Sequence, residues 1–526
     1  MIRILMKNRN LIISLTIIIG LIIGCKTTKQ PSVSSIINEG EFNSIQKYFQ
    51  NRSNLINAER EIQFDADPDL LDTSEIIAND FFIELKKREV KRMEEKDKFP
   101  PSSYFLDIKS FIDQSPFYLT IQNIPKGAML YGHIHTMGNY RSLLNKAGQL
   151  SNCYVYIGAD NKSWVNGTFR FAPKSPGKQW RSFQQMRELM GDEFMDEMYD
   201  NISLGRDDYP FEHIPREYDK ALFRADGLLS YKPLFRDFVL SMFKDLVKDN
   251  VSYVEIHSSF NGMYDLQRSY FNPFTELDLY VSARNEIQKE HPDFDFKVIY
   301  SVGQSQKRKT LLEHYETALL LVEKYPEILG GFDFASIEYT VNEFKGFLKK
   351  YMEVQENPNS AKAGIGLFFN PDESDKTMDD HIYDAVLLEC KRIGYGYELT
   401  KFPLLMNLIK EKGLAIEISP ISNQVLGYSA NLRDHPGKIF LNHGLPVVLG
   451  SENQGIMKFS FSHQFYEAAI AWDLDLAGIK QLILNSIRYS NQPTWKKQIM
   501  EDLWRSRWKK FIKQLVQRSK IEVVEY

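Results

Sequence analysis

From Lys126 onward, eight short and nearly continuous apolar runs punctuate the chain: GAMLYGHIH (127–135), VSYVEIHS (251–258), FKVIYSV (296–302), LGGFDFA (329–335), GIGLFFN (364–370), RIGYG (392–396), AIEISPIS (415–422) and PVVLGSE (446–452). Between them lie segments such as PLFRDFVLSMFKDLVKD, LLEHYETALLLVEKYP, DDHIYDAVLLECKRI and FPLLMNLIKEKG, with apolar residues three and four apart. That spacing is the period of an amphipathic helix. Strands that are apolar on both faces need helices over both faces, so the alternation predicts a parallel sheet in an α/β fold. Eight such units predict a closed (β/α)8 TIM-type barrel over residues 126–526. An open, doubly wound sheet is the alternative that the same pattern allows.

The longest gap separates the first run from the second. It contains NCYVYIGADNKSWVNGTFRFAPKSPGKQW, rich in aromatic and turn residues, and predicts a folded insertion at about 139–230. Residues 42–125 read as a helical N-terminal extension, and TWKKQIMEDLWRSRWKKFIKQLVQ reads as a final amphipathic helix whose tryptophans serve packing.

Composition narrows the classes of partner. The chain has 526 residues, more than one ordinary core holds, which fits a large barrel with appended pieces. Hydrophobic residues make up 43% and charged residues 25%, and the net charge is −4 with both signs interspersed. A phosphate-binding surface shows as basic excess, so nucleic acid is excluded as the main partner.

The N-terminus carries a pattern of its own. Arg3, Lys7 and Arg9 precede the apolar run LIISLTIIIGLIIG (11–24), and Cys25 follows. This is the layout of a secretory signal, and the run is shorter than the roughly 20 residues of a membrane-spanning helix. LIIGC resembles a bacterial lipoprotein lipobox. That resemblance implies a signal peptide over 1–25 ending in lipidated Cys25, a membrane anchor, and a periplasmic or cell-surface location. KTTKQPSVSS then reads as a polar tether within 26–41. Cys153 and Cys390 remain, too far apart in sequence to read as a disulfide framework.

Barrels of this kind carry their chemistry at the C-terminal ends of the strands. Here those ends present Tyr131, His133 and His135, then His257, Ser336 and Glu338, Asn370 and Glu373, Tyr395, the stretch SPISNQ, and last Glu452 and Asn453. His133 and His135 stand two apart, and on a strand such residues share a face. With a distant carboxylate the pair fits a hydrolytic metal site. A solvated pair without chemistry fits equally. RIGYG places Tyr395 between two glycines, where the backbone can approach another group closely.

From about Phe42 to the C-terminus the chain resembles the adenosine deaminase family, and within it the secreted growth-factor-like branch. PKGAMLYGHIH resembles the family's PKGADLHxH, NPDES resembles HAGET, and RIGYG resembles RIGHG. ISPISNQVL is similar to CPISNQVL and is the most specific match; LGSENQ resembles SSDDP, and ILNSIRYS resembles the closing NSI/FxxS. The motifs occur in the family's order.

The resemblance implies zinc as cofactor, held by three histidines and an aspartate, with bound water attacking C6 of adenosine. It places the first zinc histidine at Tyr131, the second at His133, the third at Asn370 and the aspartate at Glu452. Glu373 takes the general-acid slot, Tyr395 the slot of the assisting histidine, Asn453 that of the ring-binding aspartate, and Ser336 that of a glycine whose backbone meets the purine. Neutral tyrosine and asparagine are poor zinc ligands, and a phenol with a reference pKa of about 10 does not do an imidazole's work near neutrality. The expectation is therefore a lipid-anchored binder of adenosine or a related nucleoside with zinc-dependent deamination impaired or lost. The alternative is an active adenosine or purine deaminase with an unorthodox metal site drawn from His133, His135 or His257 with Glu452. The branch also implies a homodimer.

Overall fold

The computed structural model describes residues 45–65, 67–158, 167–205, 213–267, 269–302, 309–334, 340–370, 378–394 and 396–522. The chain divides into two compact units, Met1–Pro68 and Asp69–Tyr526. Within the first, the described residues include the helix Ile45–Glu61, which buries none of its residues. The signal peptide, Cys25 and the tether lie outside the described residues.

The second unit opens with the helix Thr73–Glu95. Asp72 caps it by accepting from the backbone of Ser74 and Glu75, and the Glu75 side chain returns the bond to Asp72 N at 2.7 Å. This reciprocal box satisfies donors that a helix start otherwise leaves open. Glu75 also pairs with Lys480 at 2.7 Å and accepts from the Trp508 indole, which ties this helix to Leu476–Arg488 and to the final helix Thr494–Glu522. Trp504 and Trp508 are buried, and the Trp504 indole donates to Pro125 O at 2.8 Å, so these two tryptophans do pack inward.

The barrel begins with β1, Gly127–Met129. Before the next barrel strand come β2 (Cys153–Tyr156), β3 (Phe169–Phe171) and β4 (Trp180–Ser182), a small antiparallel sheet in the order β3-β2-β4. The helices Phe183–Asn201, Ile214–Leu229 and Lys232–Lys248 follow it. Then come β5 (Val251–Ser258), β6 (Asp295–Ser301), β7 (Leu329–Asp333), β8 (Gly366–Phe368), β9 (Arg392–Gly394), β10 (Ala415–Ile418) and β11 (Val447–Leu449), with helices between successive strands.

One parallel sheet runs β1-β5-β6-β7-β8 and another β11-β10-β9. Two bridges join them into a ring. Phe369 pairs with Ile393 and Gly132 with Glu452, both in parallel sense. Gly394 N donates to Phe369 O at 2.7 Å, and Ser451 N and Glu452 N donate to Tyr131 O at 3.1 and 3.0 Å. The eight strands expected from the apolar runs therefore close as a (β/α)8 barrel, and the open-sheet alternative is overturned.

The interior is not purely apolar. Arg392, fully buried at the start of β9, lies between Glu255 of β5 and Glu417 of β10. Its guanidinium donates to Glu255 at 2.6 Å, to Glu417, and to the carbonyls of Tyr489 and Leu130 at 2.9 and 3.2 Å. Burial opposes its charge, but the two carboxylates outweigh burial and raise its pKa further. The trio links three strands across the barrel.

Candidate functional site

At the C-terminal end of β1 the structure departs from the strand reading of the two histidines. β1 ends at Met129, and the chain winds into a short helix, Ile134–Met137. His133 is its N-cap in extended conformation, and His135 lies within it. In a helix a two-residue step turns the side chain by about 200°, so the shared-face rule of strands does not apply. The reading of His133 and His135 as neighbours on one strand is accordingly corrected. Burial lowers the pKa of His135, opposed by Asp226 on the helix Ile214–Leu229.

His133 keeps different company. Its Nε2 lies 3.1 Å from the Tyr131 hydroxyl. The ring of His257, on β5, stands 5.0 Å from that of Tyr131 and 5.5 Å from that of His133. A parallel bridge between His133 and His257 holds the two in register, and His257 N donates to Gly132 O at 2.9 Å. Tyr131 and His257 are buried, while His133 is partly exposed.

Asp333, the last residue of β7, connects this group to the next strands. Its carboxylate lies 3.2 Å from His257 Nδ1 and receives Ser301 Oγ at 3.3 Å. It also receives both nitrogens of Asn370, the backbone at 3.1 Å and the amide Nδ2 at 3.2 Å. The glycine ending β9 explains how Asn370 fits. A Cβ on Gly394 would stand 1.9 Å from Asn370 Oδ1, a separation no side chain tolerates. Close approach to the Asn370 amide is what this glycine of RIGYG permits.

On the far side, Glu452 follows β11 with φ of +33°, an uncommon conformation for a non-glycine residue. Its carbonyl accepts from Thr136 Oγ1 at 2.8 Å. Asn453 is fully buried; its Oδ1 accepts from the Tyr218 hydroxyl at 2.8 Å, and its Nδ2 donates to Ser422 Oγ at 3.4 Å. Tyr218 belongs to Ile214–Leu229, so the segment between β1 and β5 contributes a side chain beside Asn453.

Of the residues expected at the site, Tyr131 and His133 follow β1 and Glu452 and Asn453 follow the neighbouring β11, while Asn370 follows β8, which pairs with β7 and β9 instead. Ser336, Glu338, Glu373 and Tyr395 lie outside the described residues. Asp333 and Tyr218 escaped sequence reasoning. Asp333 ends the run LGGFD and was legible as a strand-end acid, whereas Tyr218 carried no signal.

Membership of a family can be stated once this geometry is in view. A family model described as "Adenosine deaminase" matches residues 192–505, and one described as "Adenosine/AMP deaminase N-terminal" matches residues 32–121. A closed barrel with polar strand ends behind a helical N-terminal region defines the class, and the chain belongs to the adenosine deaminase family. Its relatives are those of the growth-factor-like branch. Adenosine deaminase 2 of Dictyostelium discoideum is 28% identical over 90% of this chain and 88% of its own. Adenosine deaminase 2 of Homo sapiens is 30% identical over 84% of this chain and 89% of its own. Among solved structures, N6-methyl-AMP deaminase from Arabidopsis thaliana shares the fold with a TM-score of 0.52 at 15% identity, covering 74% of this chain and 98% of its own. An amidohydrolase from Burkholderia ambifaria with bound Zn superposes with a TM-score of 0.50 at 15% identity, covering 76% and 95%.

The family suggests zinc, and the residues present can be tested for it. His133 Nε2 faces the Tyr131 hydroxyl, and Asn370 turns its amide nitrogen to Asp333. Among the described residues, no three His, Cys, Asp or Glu side chains come together at metal-binding spacing. Tetrahedral zinc draws its ligands from thiolates, imidazoles and carboxylates. The expected set of three histidines and an aspartate does not fit.

Proposed function

We propose that this protein binds adenosine or a related purine nucleoside at the barrel mouth, with zinc-dependent deamination to inosine impaired or lost. The observation that carries this reading is the Tyr131 hydroxyl 3.1 Å from His133 Nε2, where a second ligating imidazole would otherwise stand. Loss of an outer partner of a metal ligand costs about 10–100-fold in affinity or activity, and loss of inner imidazoles costs more. Fold neighbours support a nucleotide-shaped ligand: the Arabidopsis ADAL protein was solved with IMP and with GMP. In this reading Glu373 retains an acid role, Ser336 and Asn453 take the slots that meet the purine, and Tyr395 takes the slot of the assisting imidazole. Metal analysis of purified protein, followed by an adenosine-to-inosine absorbance assay, tests it. Little zinc and negligible turnover are expected. Stoichiometric metal with turnover abolished by Glu373→Gln would overturn it in favour of an active deaminase, the reading that the names of its curated relatives favour.

The proposal extends to address. The lipobox-like LIIGC before a polar tether supports lipidation at Cys25 and an extracytoplasmic, membrane-anchored protein. Among the described residues no helix is long and apolar enough to cross a membrane. Cys25→Ser should release the protein or leave its precursor unprocessed; unchanged fractionation would refute the anchor.

A further inference from the structure

The final helix, Thr494–Glu522, has apolar residues on two sides, and the fold packs one of them. Trp504, Trp508, Phe511, Ile512 and Leu515 are buried. Trp495, Ile499 and Leu503 recur every four residues elsewhere on the helix and stand 61%, 50% and 43% exposed. At about 100° per residue these three fall within a sector of about 80°, on the side away from the buried set. Lys510 and Lys513 continue the same sector toward the C-terminal end, and Lys509 borders it. All three lysines are exposed and form no ion pair among the described residues, whereas Arg505 and Arg507 are paired with Glu501 and Asp293. Asp502 is the one acid at the edge of the sector, where it accepts from Gln498 at 3.1 Å. The helix as a whole carries nine basic residues against three acidic ones, in a chain whose net charge is −4. Single exposed apolar side chains are ordinary on a protein surface. Three on successive turns of one helix, continued by unpaired lysines, form a surface.

We propose that this face of the final helix docks on an anionic lipid bilayer, with Trp495, Ile499 and Leu503 entering the headgroup boundary and Lys509, Lys510 and Lys513 lying over lipid phosphates. Both halves of the face meet their counterpart there. A helix lying in the membrane plane buries apolar side chains at the edge of the acyl region and draws its basic residues to anionic headgroups. Tryptophan favours that boundary, because its ring is largely apolar and its N–H still finds a partner. Residues 495 to 513 extend about 27 Å along one line of the helix, and a bilayer meets so straight an edge without needing a complementary groove. The inference goes beyond nucleoside binding. It rests on the proposed lipid anchor only for bringing a bilayer within reach, since a tether turns a weak surface contact into an intramolecular one. The face would then fix which way the tethered barrel is turned on the membrane.

The test reconstitutes the full-length protein into vesicles whose acyl chains carry bromine, which quenches tryptophan fluorescence on contact. One set is phosphatidylcholine alone and the other is phosphatidylcholine with phosphatidylglycerol. The N-terminal segment is present on both, so quenching reports the seating of the helix rather than attachment of the chain. Quenching is expected on the phosphatidylglycerol vesicles, with relief in high salt and no comparable quenching on phosphatidylcholine alone. The quenched component should be missing from Trp495→Phe, an exposed change that leaves the packed tryptophans in place. Lys509→Gln, Lys510→Gln and Lys513→Gln together should weaken seating at least tenfold. Quenching of equal size on the two vesicle types, or quenching retained in Trp495→Phe, overturns the proposal. So does a dimer in detergent that Trp495→Ser with Ile499→Ser dissociates while the parent is unquenched on vesicles, because a second copy then covers the face. A mass spectrum without acyl chains on Cys25, with quenching intact, keeps the docking face and removes the anchor.

Discussion

Glu467 offers a test that needs no ligand. It lies on Phe461–Ala471, fully buried, and neither carboxylate oxygen has a hydrogen-bond partner among the described residues. Burial pushes its carboxyl up from 4.5 to about 8. The folded protein therefore holds a proton that the unfolded chain gives up near pH 4.5. A raised carboxyl contributes no penalty below the unfolded value and a growing one above it, so stability falls as pH rises from 4.5 toward 8 and then levels off. At 1.36 kcal/mol per pH unit, the penalty reaches as much as about 3 kcal/mol at pH 7 and about 5 kcal/mol above pH 8. Glu467→Gln keeps the shape and removes the titration. Scanning calorimetry of both proteins at pH 5 and pH 8.5 should show Glu467→Gln more stable at the higher pH, with a much smaller difference at the lower. A difference of the same size at both pH values would refute the reasoning, because only a titrating group separates them. Gln464, one turn earlier, accepts from Ile421 N at 3.1 Å and leaves its amide nitrogen without a partner among the described residues.

Arg392→Met should lose about 3–5 kcal/mol in a denaturant titration, since Glu255 and Glu417 would stay buried without a countercharge; a loss below about 1 kcal/mol would contradict the ion-pair account. Gly394→Ala puts a Cβ 1.9 Å from Asn370 Oδ1, so Asn370 must leave Asp333, and adenosine affinity measured by titration should fall with it. Tyr131→His, Asn370→His, Tyr395→His, Glu452→Asp and Asn453→Asp together should gain bound zinc and measurable deamination that the parent lacks. Metal at stoichiometric level in the parent would show that the substitutions had been misjudged.

The strands were legible because burial on both faces writes itself into consecutive residues, and all eight runs became barrel strands. The family was legible because its motifs sit at those strand ends in order. Where the strands stop was not. The run 127–135 reads as a single apolar stretch, yet β1 ends at Met129, isolated bridges carry the pairing on to Gly132 and His133, and the chain coils into a helix from Ile134. The two histidines consequently part, although their spacing alone suggests a pair. Tertiary structure also decided the partners that replace them. His257 meets His133 because β1 and β5 are neighbours in register, and Asp333 reaches both His257 and Asn370 because β5, β6, β7 and β8 follow one another round the barrel. Tyr218 reaches Asn453 only because the helix Ile214–Leu229, from the segment between β1 and β5, comes against the end of β11. Local periodicity reports which residues are buried; which buried polar atoms meet depends on ring closure and strand register, and these arise between segments far apart in the chain.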